Sequence, residues 1–267
     1  MQFIVENEAT VRLTCFVGGI VLMMLIEACQ PRRARSIRWL KRWSTNLGLV
    51  VLNSLLLRLA TPLLAVGVAY WSAEHGIGLL NIMILPVWLE LLLAVIVLDL
   101  AVYAQHVASH RVPLLWRLHQ VHHADHDLDV TTGVRFHPLE IVVSMAYKLI
   151  CVVLLGPAVV AVIVFEVLLN ASAMFNHANF KLPDRLEALL RQVVVTPDFH
   201  RVHHSTTVSE TNSNYGFFLS GWDRLFKTFR AQPEAGHLYM QIGLTQHAEQ
   251  PTYSLWWCLK LPFKRNT

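Results

Sequence analysis

Apolar residues in this chain run in blocks and do not alternate with polar ones. Residues 13–26, 47–71, 81–105 and 139–176 are strongly apolar, and a run of about 20 such residues suffices for a helix to cross a bilayer. The last block is long enough to enter and leave again, because Gly156-Pro157 can punctuate it into a helical hairpin. The pattern predicts an all-α integral membrane helical bundle of about four to five embedded helices, with a helical cap on one side. Arg58 and Lys148 interrupt two of the blocks, where a charge snorkels, lines a polar cavity or marks a break.

Composition agrees with that pattern. The chain is 54% hydrophobic and 15% charged, against about 25% charged for an ordinary soluble domain. Its net charge of +4 is concentrated in residues 31–42, with six basic residues in twelve, whereas residues 72–80 carry no Lys or Arg. The positive-inside rule puts residues 31–42 in the cytoplasm, and the charge reads as topology and anionic-lipid contact; no nucleic acid partner is implied. If residues 47–71 then run outward, residues 81–105 return His106 to the cytoplasmic side, and the hairpin returns His177 there. Trp39, Trp43, Tyr70 and Trp71 sit where an aromatic belt is expected. No small-residue cleavage site follows residues 13–26, which argues against a signal peptide.

The polar residues that remain near the membrane are mostly histidines. His119-Gln-Val-His122-His123 and His200-Arg-Val-His203-His204 repeat one spacing, and His106-Val-Ala-Ser-His110 precedes the first. With 14 histidines in 267 residues, chance supplies roughly 0.04 such H-x-x-H-H matches. Positions i, i+3 and i+4 share a helix face, so each triad can aim two or three imidazoles at one point. Eight ligands exceed what one ion uses and suit two ions with about four or five nitrogens each; His177 is a ninth candidate. Neutral imidazole suits iron, copper, zinc and nickel alike, so the ligand type alone names no metal. Asp99, Tyr103, His106 and His110 fall on one helical stripe. An acid behind two ligands can accept a ring N–H and fix the tautomer; its alternative role is to mark a helix end.

Cys15, Cys29, Cys151 and Cys258 are scattered without C-x-x-C spacing and read as small buried hydrophobes in a reducing setting. There is no G-x-G-x-x-G, and Gly76-Ile-Gly78 lacks both the third glycine and a preceding strand. No long linker or low-complexity tract divides the chain. One domain over 1–267 is expected, with membrane helices in 1–80, a catalytic core in 81–230 and an interfacial tail in 231–267. The aromatic and basic stretch 253–265 reads as a membrane anchor.

The three histidine boxes on an all-helical membrane chain resemble the fatty acid hydroxylase/sterol desaturase superfamily. The likeness covers about residues 90–230. It includes Leu115-Trp-Arg-Leu-His119, Arg135-Phe-His-Pro138, Asn176-His177-Ala-Asn179, Asn214-Tyr-Gly216 and Gly221-Trp-Asp-Arg-Leu-Phe-Lys-Thr-Phe229. Within the superfamily, Thr196 to His204 with the Trp222-Asp-Arg-Leu-Phe tail is most similar to the alkylglycerol monooxygenases and their bacterial relatives.

The resemblance implies a non-haem di-iron centre held by His106, His110, His119, His122, His123, His200, His203 and His204, with His177 matching the isolated histidine between the boxes. It implies O2 as cosubstrate and attack on a C–H bond of a lipid; hydroxylation, or monooxygenation next to an ether oxygen, is favoured, with desaturation at the same centre as the alternative. It also implies electrons from an external donor, a ferredoxin or cytochrome b5-like protein with its reductase, acting at the cytoplasmic face of a bacterial inner membrane or of the ER. His137 and Asn179 are candidate contacts to substrate or ligands, and Asn214 and Asp223 would shape the tail under the site. His126 reads as a solvated loop residue, and His75, His237 and His247 as surface histidines. A zinc hydrolase needs only three ligands and an open position, and a metal transporter spreads its ligands along a crossing path; both fit this clustering less well.

Overall fold

In a computed structural model, which describes residues 1–60 and 64–264, the described chain is all-helical, with three isolated β-bridges as its only extended pairing. A short α1 (Gln2–Glu6) leads into α2 (Glu8–Cys29), α3 (Trp39–Ala60), α4 (Ala65–Glu74), α5 (Val87–Arg111), α6 (Pro113–His123), α7 (Pro138–Leu155) and α8 (Val159–His177). Five stretches are long and apolar enough to cross a membrane: α2, the α3–α4 run, α5, α7 and α8. The predicted block 47–71 thus holds parts of two described helices within one candidate span. Leu64 is extended ahead of α4, and Pro62 in the sequence supplies no amide for a helical carbonyl. Residues 61–63 of that block lie outside the described residues.

The bundle is built around α8, which packs against α2, α4 and α5. Ala161, Val162, Ile163 and Phe165 meet Ala65, Ala69, Ala94, Val95 and Leu98 in one buried cluster. Small side chains on facing helices let the backbones approach, which replaces a hydrophobic driving force where the solvent is lipid. Lys148 does not snorkel: its ammonium lies 2.9 Å from Glu166, whose other oxygen is 3.0 Å from Arg12, so one carboxylate ties α2, α7 and α8. Arg58 is exposed near the end of α3.

The α7–α8 turn is the expected hairpin. Gly156 caps α7 in the left-handed region at φ 60°, and a Cβ on Gly78 would lie 2.3 Å from the Gly156 amide nitrogen. Only glycines permit this contact between the 75–86 loop and the hairpin tip. All the histidine boxes lie at the opposite end.

At that end four of the six basic residues of the linker fold inward, which corrects their reading as a lipid-contact flank, while Arg38 and Lys41 stay exposed. Arg42 is fully buried, with Nε and Nη2 each 2.8 Å from Asp125 and Nη1 2.6 Å from Asp129. Arg32 pairs with Asp198, Arg35 with Glu27, and Arg33 donates to the His237 and Met240 carbonyls. Trp43 is likewise no simple belt residue, since its indole donates to Asp129.

The cap consists of short elements: α9 (Asp184–Leu190), α10 (Pro197–His203), α11 (Val208–Thr211), α12 (Gly221–Leu225), α13 (Gly236–Tyr239) and α14 (Leu255–Lys260). The last is more than an anchor. Trp257, Cys258 and Leu261 pack with Leu49, Val121, Ala124 and Leu244, and the buried Arg135 donates to the Thr252 carbonyl and to Asn46. Arg265 lies outside the described residues. The cysteines are free, but only Cys258 is buried, Cys151 being intermediate and Cys15 and Cys29 exposed.

Candidate metal centre

Each box is placed by a helix terminus. His106 and His110 end α5, where a proline at the first position of α6 forces a sharp turn. His119, His122 and His123 form the last turn of α6, His177 is the last residue of α8, and His200 and His203 lie on α10 with His204 as its cap. Thr196 caps α10 by accepting the Phe199 amide, which fixes the start of that seven-residue helix.

All nine rings converge, in two interleaved groups. His106, His110, His119, His123 and His203 form one, and His122, His177, His200 and His204 the other; within each, one nitrogen per ring lies within 4.8 Å of all the rest. Both triads are divided between the groups. His123 and His204 stack across the divide with centroids 4.6 Å apart.

Four rings are oriented from behind. The Nδ1 atoms of His106, His177 and His203 each lie 2.7 Å from a backbone carbonyl, of Tyr215, Ala173 and Ser213 respectively, and His119 Nδ1 lies 2.6 Å from Glu140 Oε1. A proton donated from Nδ1 leaves the Nε2 lone pair facing inward. Nε2 of His106, His119 and His203 and both nitrogens of His123 and His204 are buried without a hydrogen-bond partner among the described residues. His177 Nε2 lies 3.1 Å from Nε2 of both His122 and His200. Burial, then the neighbouring imidazoles, pushes His122, His123, His200, His203 and His204 well below the ordinary histidine range. Buried neutral nitrogens with nothing to bind are costly, and a cation in each group would take up one nitrogen from every ring. The donor set therefore fits a pair of metal ions.

Other expected site residues take different places. Asp99 fixes no imidazole: its oxygens accept the Phe218 and Leu219 amides and the Trp222 indole, at 3.2, 3.0 and 2.8 Å. It anchors the tail to α5. Tyr103 bonds Thr228 at 2.8 Å and meets Tyr215 edge-on, and Tyr215 contacts the His106, His110 and His203 rings. Asn214, at φ 52°, bonds the Phe199 carbonyl and the Arg230 backbone, while Asp223 accepts the Tyr215 and Gly216 amides. These two hold the loop whose carbonyls orient His106 and His203.

His137 caps α7 by accepting the Leu139 amide, with Nε2 3.3 Å from the Leu259 carbonyl. Asn179 exchanges hydrogen bonds with the Arg33 backbone. Neither joins the imidazole groups. His75 is exposed, but His126 and His247 are half-buried, with His126 Nε2 3.2 Å from the His247 carbonyl. His237 is buried, 3.8 Å from Asp198, and is no surface residue.

Sequence reasoning missed Glu140. Its signal was an acid in the first turn of a helix that starts with proline at the histidine end of the bundle.

Comparison with known proteins is consistent with this geometry. The family model described as fatty acid hydroxylase matches residues 91–228, which holds every ring of both groups. The chain belongs to the fatty acid hydroxylase family. It is similar to ornithine lipid hydroxylase OlsE of Rhizobium tropici, 29% identical over 160 residues that cover 60% of this chain and 47% of OlsE. Human alkylglycerol monooxygenase is 28% identical over 141 residues, covering 51% of this chain and 29% of that protein. Cholesterol 25-hydroxylase of Rattus norvegicus is 23% identical over 151 residues, covering 56% and 49%. The chain thus spans about half or less of the length of these relatives. No solved structure matches it.

Proposed function

We propose that this family member is a membrane lipid hydroxylase whose nine histidines hold two iron ions. The observation that carries the reading is the interleaved pair of buried imidazole groups with unsatisfied inward nitrogens. The bound pair would supply O2 activation and removal of hydrogen from an unactivated C–H bond, chemistry that side chains lack. The residues supply position. Glu140 and three carbonyls set the ring tautomers, and Tyr215, Trp116 and Phe136 wall the rings, with Phe136 stacked 4.7 Å from His122. The lipid's polar end stays at the interface while its chain enters between the helices.

Names among the relatives, ornithine lipid hydroxylase and alkylglycerol monooxygenase, favour hydroxylation over desaturation. The reaction draws two electrons per turnover from a separate donor, a ferredoxin or cytochrome b5-like protein, docked on the cap. The positive-inside bias of residues 31–42 favours a cytoplasmic cap, on a bacterial inner membrane or the ER. Metal analysis of anaerobically prepared protein, followed by O2 uptake with lipid candidates, tests the reading. Iron near two per chain with substrate-dependent O2 consumption is expected; bound zinc with oxygen-independent product would sink it.

A further inference from the structure

The segment after the last histidine box reaches back along the bundle. Asp99 is the middle residue of α5, about 18 Å of helix from Arg111, and it holds the Phe218 and Leu219 amides and the Trp222 indole. One turn later Phe226 stacks on Tyr103, with centroids 5.4 Å apart. α12 therefore lies beside α5 well inside a helix long and apolar enough to cross a bilayer. α9 is carried to the same depth. Val194 bridges Leu219, the Val193 carbonyl accepts the Ser220 amide at 3.0 Å, and Arg224 Nη2 lies 2.7 Å from the Arg191 carbonyl.

The outer face of this α9–α12 layer is apolar. Leu189, Leu225, Val193 and Phe226 are 69%, 65%, 63% and 51% exposed, and Leu186, Leu189 and Val193 keep the i, i+3, i+7 spacing of one helix side. Large apolar side chains gathered in the open mark a surface that something covers. Arg185, Arg191, Arg224 and Lys227, all exposed or half-buried, flank them in sequence. Of the acids in the same segments, Asp223 is buried, Glu187 is bonded to Thr196, and Asp184 pairs with Lys181.

We propose that the α9–α12 face is an interfacial membrane contact, lying in the leaflet on the histidine side with its apolar side chains among acyl chains and its basic residues among anionic headgroups. Depth selects this occupant: a protein arriving from water would have to displace lipid to reach a face set beside the middle of α5. Charge selects anionic lipid. The contact also bears on the metal centre, because Asp223 of α12 accepts the Tyr215 amide at 2.8 Å and the Tyr215 carbonyl orients His106. The leaflet thus holds the loop behind that ring at a fixed depth. The inference goes beyond the hydroxylase reading and is independent of which metal is bound.

The test uses the full chain, with Cys15→Ser, Cys29→Ser and Cys151→Ser, in phosphatidylcholine vesicles with and without phosphatidylglycerol. Leu189→Cys, Val193→Cys and Leu225→Cys each carry a nitroxide; Leu92→Cys on the exposed side of α5 is the lipid reference and Glu234→Cys the water reference. Spin relaxation reads collision with O2, which concentrates in lipid, and with a water-soluble nickel chelate. The ratio of O2 to nickel collisions at the three positions should exceed that at Glu234 severalfold and approach that at Leu92, and phosphatidylglycerol should raise it further. A ratio equal to that at Glu234 puts the face in water and overturns the proposal. Dipolar broadening that disappears on dilution with unlabelled chain puts a second copy there and overturns it too. A ratio unchanged by phosphatidylglycerol removes the headgroup contact. Three positions are read so that a variant lost in folding leaves two that decide.

Discussion

Single side chains in this protein are tied to the site by what lies behind them. His203 has its Nδ1 on the Ser213 carbonyl and its Nε2 free toward the cluster, so His203→Gln should lower bound metal. His126, outside both groups, bonds a loop carbonyl, and His126→Gln should leave the metal content intact. Elemental analysis of the two purified variants checks the contrast. His237 offers a separate handle on pH. Burial, helped by Arg201 and Arg32 and opposed by Asp198, pushes it down to about 4. A depressed imidazole contributes its full stability above the ordinary value of about 6.5 and loses it as pH falls toward the folded value. Melting temperature should therefore decline between those limits on acidification, and His237→Gln should decline less steeply.

Several residue roles could not be read from spacing. The stripe Asp99, Tyr103, His106 and His110 does share a helix side, but helical periodicity fixes a direction around the axis and not the partner met there. Asp99 meets the tail, brought alongside from residues 218–222 by folding. Glu140 reaches His119 only because α7 starts beside the end of α6.

At the scale of elements, the close contact of the 132–134 turn with α8 sets the depth of His177. A Cβ on Gly133 would lie 2.4 Å from the Ala173 carbonyl, the acceptor for His177, and 3.3 Å from His177 Nδ1. Gly133→Ala should cost about 1–3 kcal/mol by overpacking and reduce metal in the group containing His122, His177, His200 and His204. Melting curves and metal stoichiometry on one preparation read both effects. Asp99→Asn should separate them. It weakens the anchor of the tail, at about 1–3 kcal/mol for a buried donor left short of its acceptor, yet should keep the metal, because no ring depends on that carboxylate.

The helices themselves were legible. Long apolar blocks have few alternatives in lipid, since only a helix satisfies every backbone amide locally, and the Gly156 hairpin followed from its punctuation. Missing from that reading was the fate of the basic linker. A run of arginines looks the same in sequence whether it faces lipid headgroups or is buried against acids, and Asp125 and Asp129 lie far away along the chain.

Over the whole molecule, Arg42 links the membrane helices to the cap. It holds Asp125 and Asp129 on the segment that follows His122 and His123; burial alone would raise the Asp125 carboxyl, but Arg42 holds it well below the usual carboxylate range. Arg42→Leu takes from two buried acids their closest cation, and breaking such a buried pair typically costs about 3–5 kcal/mol. The variant should melt earlier and lose metal from both groups together, a joint loss that distinguishes it from Gly133→Ala.

The sequence by itself determined that imidazoles would gather at one end of a helical membrane bundle, and how many were available. Their i, i+3, i+4 spacing and the number of crossings are local and countable. Only the tertiary structure decided how they divide, sending His119 and His123 to one group and His122 to the other, and His203 apart from His200 and His204. Neighbouring rings on one helix fan outward by the angle between successive residues. Which group each ring meets is then fixed by where α5, α8 and α10 stand around α6, a relation set by long-range packing that no short motif encodes.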